Sequence, residues 1–388
     1  MNGGHTPKPT MQLLKLVANM VKLGEPLPWG VRDAQGKLLL AQGQVITDPE
    51  QLSAMIDRGG FVHVEEAREA VKRAAELQKQ RQQNQRPVNL FTLWERELWQ
   101  LDRLLRSTEE AGFVARADEV VEQLIALTDR DPDIAIYLCV RQDPKRLSIY
   151  GLAHSIHCAL IGLLVGRKLG WEDAKVHSAV KAALTMNIST FELQGRFAVQ
   201  GVAPTAAQKE LLAVHPTKSA DMLRAAGVTD EIWLSAVEQH HERADGTGYP
   251  NHLTDPTDVA RLLRHVDVFM AKISPRTGRV PQTTQMAARQ MFQEDQSVLS
   301  ATFVKEVGIY PPGEIVKLKS GEHAVVVRRT GNASTPTAAS ITDRSGMPVV
   351  NTVMRDTSKP EFAIVSTIAE KGATVLRMPP ERLYGLPE

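Results

Sequence analysis

Between residues 113 and 307, apolar side chains recur at three- and four-residue intervals, and no strand-length alternation interrupts them. The recurrence predicts helices near 114–128, 133–140, 149–169, 172–187, 205–226, 230–241, 256–272 and 282–306. Asp131-Pro132, Gly170, Gly201 to Pro204 and Gly227 punctuate them. Together they predict one all-α domain over 113–307. The flanks read differently. In 11–63, Leu27 to Val31, Lys37 to Ala41 and Gln44 to Ile46 are strand-like, with turns at Ala34-Gln35-Gly36 and Gln42-Gly43. Asp48 then begins a short helix with Pro49 at its first position, and Gly59-Gly60 ends it. Residues 308–388 open on the turn Gly308 to Gly313. Strands are predicted at 314–318 and 323–329, joined as a hairpin through Ser320-Gly321, and again at 338–342 and 361–366.

Residues 64–112 are expected to be a helical linker. Its first part, 64–86, is polar on nearly every face and reads as a solvated spacer, broken by Pro87. Its second part places Phe91, Trp94, Leu98, Leu101 and Leu105 at heptad spacing for only two heptads. That length favours a core-facing helix over a dimer seam, and leaves a homodimer open. The fold class is therefore mainly α, a helical bundle with small β-rich modules at both ends.

Composition narrows the function classes. The chain has 388 residues, 43% of them hydrophobic, and a net charge of +1, so no global field draws it to nucleic acid or to an anionic membrane. An anionic ligand would need a local basic pocket. Cys139 and Cys158 are the two cysteines, both in apolar helical stretches, and are expected as buried thiols. The opening MNGGHTPKPT lacks the basic and apolar regions of a signal peptide. The longest apolar run, Cys158 to Gly166, is too short for a bilayer, which needs about 20 residues. A soluble, cytoplasmic protein is expected.

The chemistry concentrates in His240-His241-Glu242-Arg243-Ala244-Asp245-Gly246-Thr247-Gly248-Tyr249-Pro250. Paired imidazoles suit a transition metal, and a glycine-rich turn lets backbone approach a ligand closely. Other candidates are scattered: His154 with His157 one turn on, His215 before Pro216, Asp267, Arg276 and Arg279. Taken singly, each has an ordinary reading as a core histidine, a helix-surface acid or a solvated charge.

Taken in order, they resemble the HD-GYP family, whose signature reads HHExxDGxGYP. The resemblance runs from about Tyr150 to Arg279. It implies an HD-type helical bundle acting on cyclic di-GMP as a metal-dependent phosphodiesterase. It implies metal ligands at His154, His215, His240, His241 and Asp267. It also implies a ligand- and partner-binding surface at Arg243, Asp245, Gly246, Gly248, Tyr249, Pro250, Arg276 and Arg279. Within that surface Tyr249 is placed to stack on guanine, while Arg243 and Asp245 brace the loop. Cyclic di-GMP or a related nucleotide would be the ligand, and a diguanylate cyclase or another signalling protein the partner at the GYP loop. The terminal β-rich segments are similar to modules that accompany such domains.

One element departs from the family pattern. Where the family reads His-Asp-Ile-Gly-Lys, this chain reads Met186-Asn187-Ile188-Ser189-Thr190. A thioether binds hard or borderline divalent ions poorly, and a neutral amide cannot bridge two cations. A two-metal centre is not expected. One divalent transition ion such as iron or manganese on His215, His240 and His241, with Asp267 helping, is. Three readings stay open: a degenerate member that binds nucleotide or partner with hydrolysis impaired or absent, an active single-metal phosphodiesterase, and a helical scaffold that binds nothing.

Overall fold

The structure, a computed structural model, describes residues 12–17, 20–85, 89–368 and 378–386, with side chains of the helix over 64–85 described as far as residue 76. The N-terminal ten residues and Pro87, both read above, lie outside the described residues. The chain divides into two compact units, 1–87 and 88–388.

The first unit is a four-stranded antiparallel sheet with two helices. β1 (Leu13–Lys15), β2 (Val31–Arg32), β3 (Leu38–Leu40) and β4 (Phe61–His63) lie in the order β1-β4-β2-β3. α1 (Pro49–Asp57) starts as its sequence predicts, with the Asp48 carboxylate accepting from Glu50 N. Leu16, Leu27, Val31, Ile46 and Val62 form the core with Ala67 and Ala70 of α2 (Val64–Gln85). The start of α2 is thus a packed element, not a spacer, and Glu66 holds it to the sheet through Arg32 and Gly30 N. Residues 44–46 form no strand; Val45 makes only an isolated bridge to Pro26. β1 and β4, too short to show a period, were not expected.

In the second unit α3 (Leu90–Arg106) buries Phe91, Trp94, Leu98, Leu101 and Leu105 in the main core. The linker expected over 64–112 therefore divides: its second half belongs to the helical domain, and its heptad face is spent inside the chain. Following it are α4 (Phe113–Arg130), α5 (Pro132–Val140), α6 (Tyr150–Lys168), α7 (Asp173–Thr185), α8 (Phe191–Gln200), α9 (Ala206–Ala225), α10 (Glu231–Gln239) and α11 (Asp258–Ile273). α12 (Thr284–Glu294) and α13 (Val298–Val307) replace the single helix expected over 282–306. The break has a local cause: Asp295 accepts from Ser297 N and Oγ, and Ser297 caps α13 through Ser300 N. α8 was not expected. It is held by two close backbone approaches, Gly151 against Phe191 and Gly195 against Ser148, where a Cβ would meet a carbonyl oxygen at 2.1 and 2.2 Å.

α6 is the central helix, packed by α5, α7, α8 and α11. The stretch Leu147–Lys168 is long and apolar enough to cross a membrane by length and composition, beyond the run counted from the sequence, but most of it is buried among those helices. β5 (Ile315–Leu318), β6 (His323–Arg328), β7 (Thr337–Thr342), β8 (Pro348–Asp356) and β9 (Ile364–Thr367) form an antiparallel sheet ordered β8-β7-β6-β5-β9. Ile315, Val325, Val327, Ala339 and Ile341 join the helical core, while Val316, Leu318, Ala324, Val326 and Ala338 build a small second one. Arg329 fastens sheet to helices by bonding Asp133 and Glu306, and α14 (Pro380–Tyr384) packs nearby.

Candidate functional site

Four helices, α6, α9, α10 and α11, converge their histidines and one aspartate on the middle of the second unit. His215 lies within α9 directly before Pro216. Proline has no N–H, so the Leu212 carbonyl four residues earlier loses its helical donor. His215 Nδ1 supplies one instead, at 2.6 Å. His240 does the same at the end of α10, donating Nδ1–H to the Val237 carbonyl at 2.6 Å, one of the acceptors a helix end leaves open. Both rings are therefore fixed with Nδ1 protonated, and their Nε2 atoms face each other at 3.1 Å. Burial pushes both imidazoles below their usual pKa, and His241 down to about 4, so the neutral forms dominate near pH 7. Two facing lone pairs, with His241 close by, make a donor set that a cation would satisfy. The ligand atoms of His215, His240 and His241 all lie within 4.8 Å of one another.

A second set faces the first. His154 on α6 donates Nε2–H to Asp267 on α11 at 2.8 Å, and its Nδ1 faces the Tyr150 hydroxyl at 3.4 Å. Arg276 in turn donates to that hydroxyl at 2.5 Å, with its guanidinium over the Tyr150 ring. Burial pushes the Asp267 carboxyl up, but the His154 hydrogen bond and the fields of His154, His241 and His240 outweigh it. The group is held well below the usual carboxylate range. Cys158 completes this set, its Sγ 3.5 Å from His154 Nε2. Burial and the neighbouring Asp267 push its thiol far up, so it is a neutral neighbour, as buried thiols were expected to be. Both sets could hold an ion by their residue types, but His154 and Asp267 already satisfy each other.

Met186 and Asn187 cap α7, both fully buried. Asn187 Oδ1 accepts from Gln194 of α8 at 2.8 Å, while its Nδ2 is buried without a partner. Two residues on, Ser189 Oγ donates to the His215 carbonyl, so the α7 tip abuts the histidine-bearing turn of α9. Thr190 is buried against the Asn187 carbonyl.

The loop after the paired histidines folds back over them. Glu242 is its anchor: buried, it accepts from Asn251 N at 2.6 Å and Leu253 N at 3.0 Å. Arg243 pairs with Asp245, which also takes Thr247 N and Oγ1, so the two are tied to each other within the loop. Gly246 has φ +74°, and at Gly248 a Cβ would sit 2.4 Å from Arg243 N. Tyr249 stacks on His241, ring centroids 4.6 Å apart, and the Tyr249–Pro250 peptide is cis. One face of the ring expected to stack on guanine is thus already covered by an imidazole. Arg279 is exposed and donates to the Ala271 and Lys272 carbonyls at the end of α11. Sequence reasoning missed Tyr150, Cys158 and the buried role of Glu242; the i, i+4 spacing of Tyr150, His154 and Cys158 on one helix was the available signal.

Comparison with known proteins agrees with this arrangement. Residues 150–300 match the HD domain family. The chain is 30% identical over 230 residues to the cyclic di-GMP phosphodiesterase PA4108 of Pseudomonas aeruginosa, covering 58% of this chain and 55% of that one. It is 26% identical over 111 residues to the cyclic di-GMP phosphodiesterase PdeB of Borreliella burgdorferi, covering 29% of each. The matches thus span about half of the first relative and less of the second. Among solved structures it resembles Bd1817, a HDG"Y"P protein from Bdellovibrio bacteriovorus, with TM-score 0.48 and 13% identity over 76% of this chain and 99% of that one. The chain is thus similar to HD-domain proteins over residues 150–300, and to named cyclic di-GMP phosphodiesterases over part of its length.

Proposed function

We propose that the protein is a degenerate HD-GYP member of cyclic di-GMP signalling, in which hydrolysis is impaired or absent. It binds cyclic di-GMP or a related nucleotide, or a signalling partner such as a diguanylate cyclase, through the loop 242–250 and the pocket rim. We read it as cytoplasmic. The observation that carries this is Asn187. Where the family places an anionic bridge between metals, this chain presents a neutral amide bonded to Gln194. Two cations side by side would repel with one carboxylate too few. The direct His154–Asp267 bond points the same way, since that pair must give up its hydrogen bond before both members can ligate.

One divalent transition ion fits the remaining donors. His215, His240 and His241 would hold it, with Asp267 on the facing side. Such an ion supplies charge for a phosphoryl oxygen. The chain's own residues hold two imidazoles in the required tautomer, close the loop over them through Glu242, and keep Arg276 on Tyr150 beside His154. The assembly of His154, His215, His240, His241 and Asp267 in one place favours a second reading, an active single-metal phosphodiesterase. A homodimer through α3 is not proposed, because its apolar face lies in the chain's own core.

The double substitution Met186→His with Asn187→Asp tests the reading. It should raise bound metal toward two ions per chain and bring cyclic di-GMP hydrolysis well above that of the unmodified protein. Unchanged metal content in a folded double variant would refute the placement of the α7 tip at the metal bridge.

A further inference from the structure

Outside the histidine cluster a cavity of about 410 Å³ opens between the loop 242–245, α11 and the α12–α13 turn. Its walls are charged, and nearly every charge has a partner. Arg243 pairs with Asp245 at 3.0 Å, Arg261 with Asp255 at 2.5 Å, and His265 with Asp295 at 2.8 Å. Asp258 is met by Lys175 and Glu294 by Lys272. Glu242 is taken up by two backbone N–H groups.

Arg264 is the exception. It lines the same cavity, is only partly exposed, and makes no hydrogen bond or ion pair among the described residues. Burial and the neighbouring Arg243 both act against its charge, while Glu294, Asp267 and Asp245 favour it without touching it. A half-buried guanidinium with unused forked donors is costly unless something anionic meets it. It stands three residues before Asp267 on α11, and its field reaches His241 and Tyr249.

We propose that this cavity is an anion subsite in which Arg264 takes a phosphoryl group by its forked N–H donors. The subsite borders the histidine cluster but uses none of its ligands. That the phosphoryl group belongs to cyclic di-GMP rests on the function proposed above; the subsite for a phosphoryl anion does not.

The full chain, its Arg264→Gln variant and its Arg264→Lys variant are titrated calorimetrically with inorganic phosphate and, separately, with cyclic di-GMP, alongside metal content and melting temperature. Arg264→Gln should leave bound metal unchanged and weaken both titrations at least about tenfold. Arg264→Lys should keep part of the phosphate affinity, because charge stays and the fork is lost. Phosphate affinity equal in Arg264→Gln and the unmodified chain, or no phosphate binding by the unmodified chain, overturns the subsite. Should the glutamine variant melt lower, equal phosphate affinity in a stable lysine variant overturns it instead. If phosphate binding depends on Arg264 while neither protein binds cyclic di-GMP, the subsite stands and the proposed ligand falls.

Discussion

Glu242 should be the buckle of the loop that covers the paired histidines. Its carboxylate is buried and accepts two backbone N–H groups, Asn251 at 2.6 Å and Leu253 at 3.0 Å. Hydrogen bonds to a charged acceptor are worth about 1.5–3 kcal/mol each. Truncation in Glu242→Ala therefore removes roughly 3–6 kcal/mol of loop closure by the same scale. Glu242→Gln keeps the shape but turns one acceptor into a donor facing a donor, so about half of that is lost. Since about 1.4 kcal/mol is a factor of ten, the loop should open at least about a hundredfold more often in Glu242→Ala and at least about tenfold more in Glu242→Gln. Hydrogen exchange followed at the Asn251 and Leu253 amides reads this directly, because loop opening limits their exchange. Tyr249, stacked on His241, should loosen with them. Unchanged protection at both amides in Glu242→Ala would refute the assignment of Glu242 as the anchor.

Other outcomes follow from the same geometry. In metal-free protein, burial holds His157 down to about 3 and His241 down to about 4, against an ordinary 6.5. The unfolded chain takes up protons first, so stability is complete above 6.5 and falls as pH drops from there toward 4. Each such imidazole removes about 1.4 kcal/mol per pH unit, and urea unfolding at several pH values should show a shallower slope in His157→Gln. His240→Ala should abolish any rise in melting temperature on adding manganese or zinc, whereas His177→Ala, an exposed contact to Glu122, should keep it. Arg329→Ala strands the carboxylates of Asp133 and Glu306 between sheet and helices, and should cost about 2–4 kcal/mol by chemical denaturation.

The histidines and Asp267 were legible because their order along the chain follows a family signature; their spacing alone would not have singled them out. The core face of α3 was legible from its period. What escaped notice depends on tertiary contact. α8 carries Gly195, a poor helix former, and exists because that glycine lets it press on Ser148. β8 alternates weakly, since as an edge strand it is exposed along most of its length. The Asp295–Ser297 break interrupts an apolar period that reads as continuous. Glu242 is buried by its bonds to Asn251 N and Leu253 N, and nothing local in the sequence marks it so. Arg264 is one of two arginines on α11, distinguished only by the partner that Arg261 has and it lacks.

Elemental analysis of the purified chain, joined to cyclic di-GMP turnover on the same preparation, tests the loss of the α7-tip bridge most directly. No more than one divalent ion per chain, with turnover slow or absent, is the expected result. Two ions per chain with rapid hydrolysis would contradict it, because a neutral amide at position 187 would then have proved no obstacle to a paired-metal centre.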